Sequence, residues 1–149
     1  MKKSTLIVGI VSSFLLLIGV VFKTLHWPGA GVIMTLGATF FALCYSLLLY
    51  LDKNKIADNS YQKFVNLITM LTMLIITAGF LFKMMHWPGA GIGIYAGHAL
   101  LVIMIPILFV QASREKDPVK KLNFYNIAIF LVVLTAFSYF VWKMVSKQQ

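Results

Sequence analysis

Two stretches of this sequence place a lysine and a histidine three residues apart just before a tight turn: Lys23, His26, Trp27, Pro28 and Gly29, and again Lys83, His86, Trp87, Pro88 and Gly89. At that spacing an ammonium and an imidazole share one side of a helix end. Each pair then forms a polar patch able to bond backbone or a partner, or else the lysine only snorkels to the lipid headgroups. A third histidine, His98, lies inside an apolar run, about 13 Å past its turn at 1.5 Å per residue. An imidazole at that depth suits a proton relay, a quinone contact or a haem ligand, or simply a hydrogen bond to Tyr95 or a helix carbonyl. Haem would need a facing axial histidine at equal depth, and His26 and His86 sit near the run ends. The four acids, Asp52, Asp58, Glu115 and Asp117, fall between apolar runs among lysines, and no HExxH, CxxC, GxSxG or phosphate-binding glycine loop is present. The sequence therefore predicts a protein that is not an enzyme, with no catalytic residue, metal site or bound cofactor.

The elements that position these groups follow from composition. Of 149 residues, 60% are hydrophobic and 11% charged, against about 45–50% and 25% in a soluble domain. Disorder is excluded by the hydrophobicity, and a disulfide scaffold by the single Cys44. The net charge of +9 sits in short clusters between apolar runs, a pattern that orients membrane helices rather than binding nucleic acid. Five runs approach the roughly 20 residues needed to span a bilayer: Thr5 to Phe22, Val32 to Leu51, Phe64 to Phe82, Ile92 to Val110 and Phe124 to Trp142. The expected fold is all-α and integral to the membrane, one domain over 1–149. It comprises hairpin repeats at 4–51 and 64–111 and a fifth span at 124–145. Charged loops are expected from Asp52 to Lys63 and from Ala112 to Asn123. The first span has the basic start of a secretory signal, but no small-x-small cleavage site follows it, so it counts as a retained helix. Nine basic residues against four place the N-terminus and the charged loops in the cytoplasm and the C-terminus outside.

The hairpins are copies. GVVFKTLHWPGAG from Gly19 and GFLFKMMHWPGAG from Gly79 share nine of thirteen residues at an offset of 60. Traces continue at Phe124-Tyr125-Asn126 and Trp142-Lys143-Met144, a third copy that stops before its turn. Two helices separate equivalent points, so the repeats run parallel. Pro28 and Gly29 end one helix and begin the next, with proline in the first turn of the new helix. Trp27, Trp87 and Trp142 fall at one depth, as in an aromatic belt. Gly89, Gly93 and Gly97 form overlapping GxxxG steps for close helix packing, within the monomer or against another chain. Pro106 is expected to kink the fourth span. Asn66 and Asn126 are expected to make interhelical hydrogen bonds or polar interface contacts.

The FKxxHWPGA string, at 22–30 and 82–90, resembles the membrane hairpin of GldL, the inner-membrane subunit of the gliding and type IX secretion motor of Bacteroidota. The resemblance implies a multi-pass inner-membrane protein with its motif turns facing the periplasm. In that family the motif lysine and histidine act with a glutamate in the second helix in proton-driven rotation. Lys23, His26, Lys83 and His86 match the first two, and no acid stands near Tyr45 or Ile105. The implied protein is an acid-free, duplicated relative without the family's long tail. Two functions follow as expectations: a non-catalytic subunit or scaffold of an envelope complex, or a small proton, ion or small-molecule conductor using His98 and the rim residues. The expected partners are the bilayer and other envelope proteins, with a homo-oligomer as a further option and no nucleic acid.

Overall fold

The structure is a computed structural model that describes residues 2–146, with side chains through residue 140 and at Lys143. Five helices are long and apolar enough to cross a membrane: α1 (Lys3–Thr24), α2 (Ala30–Lys55), α3 (Ser60–Met84), α4 (Ala90–Arg114) and α5 (Pro118–Ser146). No strand occurs among the described residues. All five helices run past the apolar stretches that predict them, so the charged loops shrink to residues 56–59 and 115–117. Asp52, expected in a loop, lies on α2.

Polarity is distributed as lipid-facing helices require. Ile7, Phe14, Val32, Ile92 and Val102 face outward, whereas Thr5, Ser12, Thr69 and Thr72 are buried. In water such an exterior would collapse or aggregate; in hydrocarbon it is neutral, and helices associate through small and hydroxyl residues instead. The fold and this surface define a multi-pass α-helical membrane protein.

Helices neighbouring in sequence pack together. Within the first hairpin Gly19 lies against Met34 and Gly37 against the backbone of Leu15 and Leu16. Within the second, Gly79 lies against the backbone of Gly93, and Gly97 against Ile76. Gly19 with Gly37 and Gly79 with Gly97 are the same pair at the 60-residue offset. Close packing inside the monomer therefore uses Gly93 and Gly97 as expected. Gly89 is a correction: a side chain there would meet nothing within 4 Å, because Gly89 caps the helix from outside it. Its place is taken by Gly79, on the partner helix.

The centre of the bundle is α3. A core of Val65, Met73, Ile76, Leu101, Leu108 and Leu131 joins it to α4 and α5, and a second, of Met34, Ala38, Phe80, Leu81 and Met84, joins it to α2. Pro106 sits inside α4, which continues as a helix to Arg114. α2 carries a different irregularity, a π-helical segment at Phe40–Tyr45.

At the loop end the acids act as ties. Asp52 accepts from the Lys2 amide (2.9 Å) and the Thr5 hydroxyl (2.7 Å), fastening α1 to α2. Asp58 pairs with Lys120, and Glu115 accepts from the Gln62 amide at 3.1 Å. Asp117 caps α5 through the Val119 amide at 2.8 Å. Asn66 donates to Asn54 across α3 and α2 at 3.1 Å, the interhelical bond expected of it; Asn126 is exposed.

Candidate functional site

The repeated turns have one backbone geometry. Each first helix ends at Thr24 or Met84, and Leu25 or Met85 forms the cap. The next residue, His26 or His86, takes φ of 56°, the left-handed region that helix ends ordinarily reserve for glycine. The His26 amide donates to the Lys23 carbonyl (3.2 Å) and the Trp27 amide to the Phe22 carbonyl (2.9 Å); His86 and Trp87 repeat this at 3.2 and 2.8 Å. These two bonds are the Schellman closure, which satisfies carbonyls orphaned at a helix end. Its accompanying apolar contact is present as well: Trp27 meets Phe22 edge-on at 4.9 Å, and Trp87 meets Phe82 at 5.2 Å.

This geometry corrects two expectations. Lys23 and His26 do not share a helix face, because the helix stops between them and the left-handed residue turns the chain away; Lys83 and His86 are parted in the same way. Pro28 and Pro88 also stand outside the following helix, whose caps are Gly29 and Gly89 with φ of 83°. Proline restricts the tryptophan before it to extended backbone, and glycine supplies the second left-handed residue. Each residue of FKxxHWPGA thus has a local structural task. Lysine in the last helical turn complements the negative end of the helix dipole. Histidine is among the few side chains enriched in left-handed backbone. Its imidazole, exposed in both turns, takes no part in the two bonds of the closure. Trp27 and Trp87 are exposed at this end; the Trp142 side chain lies outside the described residues. A side chain at Gly31 would sit 3.1 Å from Met85, so the two turns lie side by side.

Inside the bundle His98 bridges α4 and α5. Its Nδ1 lies 2.9 Å from the Ile94 carbonyl and its Nε2 3.1 Å from the Ser138 hydroxyl. A carbonyl only accepts, so Nδ1 carries a proton, and in the neutral ring Nε2 accepts from Ser138. The same hydroxyl lies 2.9 Å from the Thr135 carbonyl, so its single proton serves one of the two acceptors. Tyr95 points elsewhere, 68% exposed. Ser138 escapes a reading of the sequence because nothing but the crossing of α4 and α5 pairs it with His98.

Ser138 also lines a cavity of about 210 Å³ between α1, α2, α3 and α5. Leu17, Phe41, Phe80, Phe130 and Phe137 form its walls, with the hydroxyl residues Ser13 and Thr77. Leu17, Thr77 and Phe137 are one repeat position in three copies, so the cavity lies where the three parallel first helices converge. Repetition alone creates such a convergence, and no residue motif announces it.

No protein-family profile, curated protein or solved structure matches this chain.

Proposed function

We propose that this chain is a non-catalytic subunit or scaffold of a larger membrane complex, and that the cavity between α1 and α5 receives apolar side chains from a helix of another subunit. The observation that carries this reading is the chemistry of the cavity, whose walls are mostly aliphatic and aromatic, with hydroxyls only from Ser13, Thr77 and Ser138. A path for protons or ions needs polar, wet walls, and both ring nitrogens of His98 face protein groups, Nδ1 the Ile94 carbonyl of its own helix and Nε2 the Ser138 hydroxyl of α5. The charge bias orients the chain with its loop end inside the cell and its twin turns outside. The duplicated FKxxHWPGA turns favour the inner membrane of a member of Bacteroidota and a complex of the gliding or type IX secretion kind. On this reading the exposed imidazoles of His26 and His86 are rim contacts.

The test is purification of the tagged full chain from its native membrane in mild detergent, with mass spectrometry of the proteins that accompany it. A stoichiometric membrane protein is expected, and Leu17→Trp, which fills the cavity from an exposed position, should remove it without lowering the melting temperature. Recovery of the chain alone, or a partner indifferent to Leu17→Trp, would overturn the proposal.

A further inference from the structure

Lys53, on the last turns of α2, is only 8% exposed. Among the described residues its ammonium has no hydrogen-bond or ion-pair partner. Its sequence neighbour Asp52 bonds Thr5 and the Lys2 amide and acts on Lys53 only through space, beyond salt-bridge distance. No fully enclosed side-chain nitrogen or oxygen among the described residues lacks a partner, so the Lys53 ammonium opens onto free space. Lys53 lines a cleft of about 20 Å³ between α2, α3 and α5, together with Gln62, Asn66, Lys120 and Asn123. No acid lines it. The other carboxylates at this end are committed elsewhere, Asp58 to Lys120 and Glu115 to Gln62. Like the Lys53 ammonium, the Asn123 side-chain amide makes no hydrogen bond among the described residues.

A cation withdrawn from water is retained when something pairs with it. Here the chain supplies the Lys53 ammonium, the Asp58-paired Lys120 and amide donors around a space for one or two oxygen atoms, at the loop end of a membrane bundle. We propose that this cleft binds an anionic phosphate group, one of whose oxygens enters between Lys53 and Asn123 while the rest stays outside. The group comes from an anionic phospholipid of the adjoining leaflet or from free phosphate. Basic pockets between transmembrane helices on the cytoplasmic side are suited to lipid headgroups. The inference is independent of the subunit reading and needs only the membrane placement of the helices.

The experiment is native mass spectrometry of the full chain released from vesicles of phosphatidylcholine alone or mixed with phosphatidylglycerol, and of chain from phosphatidylcholine exposed to millimolar inorganic phosphate. One retained phosphatidylglycerol per chain is expected, falling at least tenfold in Lys53→Met and in Asn123→Leu and persisting in Lys53→Arg and in the exposed control Lys55→Met. Retention of inorganic phosphate with the same dependence on Lys53 would support the site and identify free phosphate as its source. Retention of neither, or retention indifferent to both Lys53→Met and Asn123→Leu, would overturn it and leave water as the occupant. Asn123→Leu removes no charge, so it keeps the test open should Lys53→Met fail to fold.

Discussion

Position 46 of the first hairpin and position 106 of the second are equivalent under the 60-residue offset, and both interrupt the backbone ladder of their helix by different chemistry. At Ser46 the amide reaches back five residues to the Phe41 carbonyl, closing the π segment, and the hydroxyl bonds the Ala42 carbonyl instead. At Pro106 there is no amide to donate, so the Val102 carbonyl loses its partner while the helix continues. A π turn adds a residue and rotates the remainder of the helix by about 100°. Beyond it Lys53 is buried and Asn54 bonds Asn66, whereas their equivalents Ser113 and Arg114 are exposed. Nearly identical turns therefore feed helices whose far ends face differently, and the loop-end cleft exists in one hairpin only. The first helices differ too: 56% of the spanning window of α3 is buried against 28% of that of α1, because α3 has neighbours on several sides while α1 rests mainly on α2 through glycines.

This contrast can be broken by measurement, and the largest effect is expected at the hairpin crossings. Gly79→Ala drives a methyl group to 2.6 Å from the Gly93 and Ile94 backbone, where Gly19→Ala first meets the flexible Met34 side chain at 2.4 Å. Gly79→Ala should lose stability at the upper end of about 1–3 kcal/mol, and Gly19→Ala clearly less, read as thermal midpoints in detergent. Equal losses would show that both crossings are rigid alike.

Next in size is the bridge that only the second hairpin possesses. His98→Leu and Ser138→Ala should each cost about 1 kcal/mol, in the range of interhelical hydrogen bonds in membranes. The double variant should cost no more than the larger single one, a non-additivity that a double-mutant cycle reads directly. Additive losses would mean that the two side chains act separately.

A smaller change of opposite sign is expected at the turns. A left-handed non-glycine residue costs about 1–2 kcal/mol, and glycine gives back about 0.5–1 kcal/mol through chain entropy. His26→Gly and His86→Gly should then each raise stability by up to about 1 kcal/mol and by similar amounts, while His26→Val and His86→Val lower it. A thermal midpoint that rises in the glycine variants while the stoichiometric partner is lost would assign the imidazoles to the rim contact. The smallest effect is expected for Ser46→Ala, whose hydroxyl bonds only a carbonyl of its own helix, with circular dichroism reporting an unchanged helical content.

Much of this was legible in the residues. Five apolar runs, the hairpin repeat and the turns at Pro28-Gly29 and Pro88-Gly89 follow from hydropathy, offset and backbone restriction, all local properties. The left-handed histidines were not legible. A lysine and a histidine three apart read as one helix face, and nothing local shows that the helix stops at Thr24 rather than one turn later. The packing glycines were half legible: Gly93 and Gly97 stand in a visible step, but Gly79 matters only because it lies opposite Gly93.

What the sequence determined by itself is the set of elements, because spanning length, proline and glycine each act over a few residues. Tertiary structure decided which far ends meet. The pairing of His98 with Ser138, the cavity shared by Leu17, Thr77 and Phe137, and the burial of Lys53 each need two or more helices brought to one crossing. Those crossings are set by where glycine lets backbones touch and by the rotation a single π turn imparts to everything beyond it.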